Sequence, residues 1–350
     1  MISRRSTLML GASLCVAGGA SATPTDWNTA APESQGLKEG LVADALNAGN
    51  AVPGLRALLV ARHGVMVAER YYAGASVQSL QAINSVTKSV CSMLVGLALR
   101  DGRLKGLDET VASLIPEALA DVPDSPAANF TLRQILAGRT GLAFDPMNFG
   151  QLASAKPLVR FALSSRPAVP VAAPGWSYND AMVALLAPIL TRAYGEDLSA
   201  VAARQLFAPM GVERFEWRRD RDGNPLAPGG LALRTRDLLK LAVLMGDDGR
   251  WQGQQVLPHS WVSESLTAFG PSTWRPDPVT DVGYGLLWFT GSLHGQKVAW
   301  GWGYGGQFAL LVPALKLAVA TAATSPRPSE LREQTNAVMH VVGKMVQAAV

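Results

Sequence analysis

The stretch Ala82-Ile83-Asn84-Ser85-Val86-Thr87-Lys88-Ser89-Val90-Cys91, with the apolar run that follows it to Leu99-Arg100-Asp101-Gly102, decides how this chain is read. Asn84 or Ser85 suits a helix start and Asp101-Gly102 suits a stop, so the segment predicts a helix of about four turns. A spacing of three places Ser85 and Lys88 one above the other on one face, with Ser85 nearer the start. A serine hydroxyl is a weak nucleophile until a base takes its proton, and a lysine whose pKa is lowered by burial can be that base. The free N–H groups and positive dipole end of the helix favour negative charge developing beside Ser85.

Most Ser-x-x-Lys sequences are a capping serine beside a solvated lysine. Context separates this one, because Lys88 is the only charged residue between Arg70 and Arg100. A lysine alone in so long an apolar stretch is costly to bury unless it is used.

The 350 residues are 48% hydrophobic and 17% charged, enough for a sizeable core in one large domain or two lobes. The formal charge of +4 includes Arg4 and Arg5, and no basic cluster suits nucleic acid. No apolar run of about 18 residues argues for a stable membrane span. Residues 1–22 read as a signal peptide: Ser3-Arg4-Arg5 supplies charge, Leu8 to Ala17 an apolar run, and Ala20-Ser21-Ala22 a cleavage site. The paired arginines before Leu8 suggest the twin-arginine form, and Leu14 before Cys15 is a poor lipoprotein signal. The expectation is an exported protein, periplasmic or secreted. After cleavage Cys91 alone remains, so no internal disulfide can form.

Residues 56–61 and 65–72 read as a β-hairpin around Arg62-His63-Gly64. Helices are expected at 41–48, 107–115, 132–137, 156–164, 180–194, 198–210, 235–245, 258–266 and 332–350. Strand character returns only at 284–290, 296–300, 307–312 and 317–324. Strands at both ends with helices between imply an α+β fold: one antiparallel sheet built from both termini, flanked by helices, with a helical insert at about 101–228. A cleft between such lobes suits a small molecule.

Two stretches could complete a site there. Pro174-Gly175-Trp176-Ser177-Tyr178-Asn179-Asp180 is a turn before a helix, and the Tyr178 phenol could act as acid or base if a nearby ammonium lowered its pKa. An ordinary turn with Asn179 or Asp180 as cap is the alternative. Trp300-Gly301-Trp302-Gly303-Tyr304-Gly305-Gly306-Gln307 leads into a strand, where a main-chain N–H could be a second oxyanion donor. No Lys-Ser/Thr follows, so it is not a phosphate loop.

Ser85-x-x-Lys88, Tyr178-Asn179-Asp180 and Gly303-Tyr304-Gly305-Gly306, in this order, resemble the serine β-lactamase and penicillin-binding protein superfamily. The likeness is greatest to its class C-like serine hydrolases, including esterases and 6-aminohexanoate-dimer hydrolases. Pro32-Glu33-Ser34-Gln35-Gly36, Gly229-Gly230-Leu231 and Arg236-Asp237-Leu238 fit as connectors, and the likeness covers residues 28–345. It implies a β-lactamase-like, or transpeptidase-like, fold and a Ser85 acyl-enzyme. Lys88 and Tyr178 would move protons jointly, and N–H groups of Ser85 and Gly305 or Gly306 would form the oxyanion hole. Tyr304, Trp302, Asn179, Asp180 and Asp145 would face substrate, Asp145 by contacting an amine.

The third motif lacks the cation that often precedes its glycines and holds a substrate carboxylate. That departure favours a small ester or linear amide over the β-lactamase or D-Ala-D-Ala carboxypeptidase alternatives. Position 180 is Asp where the family often has Asn. A non-catalytic exported binding protein of the same fold is the remaining alternative. His63, His259, His294 and His340 have no metal-pair spacing, so no metal and no cofactor is expected.

Overall fold

The computed structural model describes residues 27–142, 144, 158–166 and 175–350; the expected signal segment lies outside them. The strands are β1 (Leu55–Arg62), β2 (Val65–Tyr71), β3 (Leu80–Ala82), β4 (Phe215–Trp217), β5 (Leu231–Arg234) and β6 (Arg250–Trp251). Then follow β7 (Gln254–Gln255), β8 (Thr280–Tyr284), β9 (Phe289–Leu293), β10 (Gln296–Gly303), β11 (Gln307–Val312) and β12 (Leu317–Ala323). Seven of them make an antiparallel sheet in the order β2-β1-β12-β11-β10-β9-β8.

The two ends of the chain meet in this sheet, as the sequence implied: β1 pairs with β12, Leu58 opposite Thr321. β1 and β2 form the expected hairpin. Both His63 (φ 52°) and Gly64 (φ 77°) take the left-handed conformation, which matches the twist of tightly joined strands.

In the β10–β11 register Gly301 lies opposite Ala309 and Trp302 opposite Phe308. Side chains alternate, so Gly301, Ala309 and Leu311 share one face, while Trp300, Trp302, Phe308 and Leu310 share the other. Helices Val86–Arg100 and Thr235–Gly246 cover the first face: Gly301 closes on Val86 and Ser89, and Gly246 on Leu311. Helix Leu331–Ala348 lies beside Trp302 on the second, packed against helix Glu39–Ala48.

Val86–Arg100 is the predicted helix and it runs through the core, with residues 86–98 all buried. Its end is a glycine cap: Gly102 has φ 64° and the Arg103 N–H donates to the Ala98 carbonyl at 2.8 Å.

Several sequence expectations change. The single strand at 284–290 is two, β8 and β9, separated by a turn in which the Gly285 N–H donates to the Trp288 carbonyl at 2.8 Å. The helix at 180–194 breaks into Asp180–Ala184 and Leu186–Tyr194, because Pro188 has no N–H and its ring crowds the carbonyl four residues earlier. The helix at 107–115 shrinks to Val111–Leu114. Strand character also returns well before the C-terminus, in a second sheet of order β3-β5-β4 and the short β6–β7 hairpin. Strands of two to four residues show no readable alternation. Within 101–228 the described residues carry short helices and β4.

Gly96 lies where the central helix meets Trp261. An added Cβ would fall 2.3 Å from the indole Cδ1, and Trp261 is itself buried. Gly to Ala in a helix interior normally gains about 1 kcal/mol. Overpacking here costs about 1–3 kcal/mol. The net loss is at most about 2 kcal/mol, so Gly96→Ala lowers Tm by up to about 4 °C in a thermal melt; a raised Tm would show that the indole yields freely.

Candidate active site

Asn84, one residue before the central helix, is left-handed with φ 48°, which is strained for a residue carrying a Cβ. Side-chain and main-chain bonds hold it there. Its Nδ2 donates to the Tyr304 carbonyl at 2.8 Å, and its own carbonyl accepts from Thr87 N and Oγ1 at 3.0 and 2.6 Å. The small sheet grips the same turn: the Ile83 N–H donates to the Leu231 carbonyl at 3.0 Å, and the Leu231 N–H to Thr87 Oγ1 at 3.2 Å. Ser85 is thereby fixed as the residue on which the helix opens.

Lys88 sits one turn below Ser85 and is 2% exposed. Its Nζ donates to Ser85 Oγ at 2.9 Å and to the Pro228 carbonyl at 2.5 Å, and it forms an ion pair with Asp180 Oδ1 at 2.5 Å. Burial pushes the Lys88 ammonium below the ordinary lysine range, while the Asp180 charge pulls it back up.

Tyr178 completes the cluster, with Lys88 Nζ 4.7 Å from the centre of its ring and a hydrogen bond to Ser85. The sequence expected a nearby ammonium to lower the phenol's pKa. Instead burial, aided by the Asp180 charge, holds it well above the ordinary range, against the pull of the Ser85 bond. The phenol stays protonated, so it can donate a proton to a departing group. Its ring stacks on Trp274 at 4.3 Å, and Trp274 meets Trp302 edge to face at 6.0 Å.

The turn sorts Asn179 from Asp180. Asn179 is buried; its Oδ1 accepts from the Met182 N–H at 3.0 Å and its Nδ2 donates to the Leu142 carbonyl at 3.4 Å. It caps the helix, the alternative the sequence allowed, and lines neither of the two cavities that open at Ser85. Asp180 turns inward to Lys88 and borders the cleft.

The glycines of the third motif also face away. Gly305 (φ 90°) and Gly306 (φ 95°) form a turn that a Cβ would drive into the Thr324 carbonyl and Val338. The Gly306 N–H is spent on the Gly303 carbonyl at 3.1 Å, and Gln334 Nε2 holds the Gly305 carbonyl at 2.9 Å. Gly306 is therefore no oxyanion donor. Pairing of β9 to β10 stops at Trp300, which leaves the β10 edge beyond it unclaimed by β9. Asp145 lies outside the described residues.

Two cavities meet at Ser85, Asp180, Tyr304 and Pro328. One, of about 730 Å³, is lined by Leu158, Leu226, Arg218 and Arg219 among others. The other, of about 610 Å³, adds Tyr178, Trp274, Trp302, Arg275, Arg332 and Thr335. Sequence reasoning did not single out Trp274 or Arg275, since a loop gives no periodicity from which to read direction. The Pro228 carbonyl carried no side-chain signal at all.

Among the described residues no three His, Cys, Asp or Glu side chains cluster to hold a metal, and no helix is long and apolar enough to cross a membrane. All four histidines are exposed. Cys91 is buried beneath Lys88, its thiol pushed up to about 12 by burial.

A core helix opening on a Ser-x-x-Lys pair, against an antiparallel sheet closed by both termini, defines a class of fold and site. The chain belongs to the Beta-lactamase family, whose sequence profile matches residues 42–344. It is 28% identical over 240 residues to the 6-aminohexanoate-dimer hydrolase of Paenarthrobacter ureafaciens, a match covering 65% of this chain and 60% of that enzyme's length. The octameric penicillin-binding protein homologue of Pyrococcus abyssi superposes with a TM-score of 0.66 at 17% identity, over 87% of this chain and 76% of that one. A class C β-lactamase of Rhodobacter sphaeroides gives 0.61 at 18%, over 87% and 99%. These two likenesses show the fold.

If Asn179 is a cap, Asn179→Ala costs about 1–2 kcal/mol in urea unfolding and Asn179→Ser much less. Unchanged stability with a raised KM would instead make it a substrate ligand.

Proposed function

We propose that this protein is a Ser-x-x-Lys serine hydrolase that cleaves a small linear amide or ester through an acyl-enzyme on Ser85. The observation that carries the reading is the 2.9 Å hydrogen bond between a buried Lys88 Nζ and Ser85 Oγ where two cavities meet. Burial favours the neutral amine, the form able to take the serine proton.

Ser85 Oγ attacks the substrate carbonyl as its proton passes to Lys88. The oxyanion lies at the N–H end of the central helix and the open edge of β10. The tetrahedral intermediate then breaks its bond to the leaving nitrogen or oxygen, which takes the Tyr178 proton. Water attacks the Ser85 ester in the second half. Its proton returns the Tyr178 phenolate to phenol, and Lys88 gives its proton back to Ser85 Oγ. Of the two cavities that meet at Ser85, the one containing Trp274 and Trp302 is also lined by Tyr178, which supports a leaving group on that side and the acyl group on the other.

The similarity to a 6-aminohexanoate-dimer hydrolase supports the amide half of this reading. Export is proposed on residues 1–22 alone; a processed chain outside the cytoplasm supports it and an unprocessed cytoplasmic chain refutes it.

With p-nitrophenyl butyrate in stopped flow, the wild type should release a burst near one equivalent, absent in Ser85→Ala. Steady turnover lost in the variant still supports Ser85, with acylation limiting. Equal slow release by both proteins would overturn the proposal.

A further inference from the structure

We propose that Asp180 completes a Ser85–Lys88–Asp180 relay, in which its carboxylate orients Lys88 and holds the ammonium formed when Ser85 gives up its proton. The inference rests on the hydrolase reading above.

The argument begins with the hydrogens on Nζ. A neutral amine has two N–H groups and one lone pair; an ammonium has three N–H groups and none. Two of the three partners of Lys88, the Pro228 carbonyl and the Asp180 carboxylate, can only accept, each at 2.5 Å. The third, Ser85 Oγ at 2.9 Å, can either donate or accept. In the neutral form that can act as base, one N–H can go to the Pro228 carbonyl and one turn toward Asp180, which leaves the lone pair for the Ser85 hydroxyl. When the Ser85 O–H bond breaks and the Nζ–H bond forms, the positive charge arises beside the Asp180 carboxylate.

Asp180 is free to do this. It opens helix Asp180–Ala184, but the cap of that helix is already made by Asn179, so the local fold does not require the carboxylate. Its side chain is 13% exposed, and among the described residues Lys88 is the cation with which it pairs.

The charged and titratable groups around Lys88 come from every packed element. Asp180 and Tyr178 face it from the turn before one helix and Cys91 from the next turn of its own. Tyr284 of β8 borders the same small space behind it. Arg218 and Arg219 line the adjoining cavity, and Arg219 is paired with Asp197. Among the described residues Asp180 is the one anion in direct contact with Nζ, so it dominates the charge balance there.

The test is the pH dependence of kcat/KM for p-nitrophenyl butyrate in wild type, Asp180→Asn and Asp180→Glu, with thermal melts to check folding. Activity requires neutral Lys88, so log kcat/KM climbs with pH through the lysine pKa and then levels. The Asp180 charge raises that pKa. Asp180→Asn, of the same shape without charge, should move the rising limb to lower pH by about one unit or more. It should also lower the plateau about tenfold or more, because a weaker base is left. Asp180→Glu, which keeps the charge, should leave the limb near its wild-type position. An unmoved limb in Asp180→Asn, or a limb displaced equally in Asp180→Glu, overturns the relay. So does a changed KM with an unmoved limb, seen only for esters bearing an ammonium group, since Asp180 would then be a substrate ligand. If Ser85→Ala retains turnover, the hydrolase reading falls first; if Ser85 is required and the limb stays put, the relay alone falls.

Discussion

One buried amine sets the terms for this fold. Lys88 lies in a helix whose other side chains from Val86 to Ala98 are apolar or small, and all of them are buried. An unpaired ammonium there would cost several kcal/mol, so the site exists only where its partners are delivered. They come from far apart in the chain: Ser85 from the same helix, Pro228 from the segment before β5, and Asp180 from the turn before another helix. Closing the tertiary structure and assembling the site are the same event. A chain that failed to bring residues 180 and 228 to the helix would leave a charge stranded in its core.

The backbone around the amine is held by polar contacts instead of by regular pairing. Asn84 keeps its strained conformation because its amide reaches the Tyr304 carbonyl and the small sheet grips its neighbours. Tyr304 is steadied in turn by the Gly305-Gly306 corner, which Gln334 ties to helix Leu331–Ala348. That helix also lines the cavity of Trp274 and Trp302 through Arg332 and Thr335. The strain at Asn84, the edge of β10 beyond Trp300 and one wall of the cleft therefore share a single chain of contacts, and such over-determination lets strain persist.

What could be read from the sequence was what geometry makes local. Ser85 and Lys88 meet because three residues along a helix return to the same face, and the isolation of Lys88 is visible as composition. The terminal strands show as β-branched runs, and their union as one sheet follows from having strands only near both ends. Other features depend on partners distant in sequence. Whether Asn179 or Asp180 turns inward is decided by a single step of a turn, and the sequence supports either as cap. The glycines at 305 and 306 announce close packing but not its side, which the β10–β11 register fixes. The strands β3, β4 and β5 are too short to show a period, yet they hold the turn that carries Ser85. Tyr178 could be singled out from its turn, but the direction of its pKa could not, because its burial depends on the whole fold.

Assignment of Ser85 as the activated nucleophile is the claim from which the rest follows. The most direct measurement is peptide mass spectrometry after treating the full-length protein with a small fluorophosphonate, which phosphonylates activated serines. A single adduct on the peptide containing Ser85, lost when Lys88 is replaced by Met, is the result predicted. No adduct under conditions that label a known serine hydrolase, or an adduct on a different serine, would contradict it.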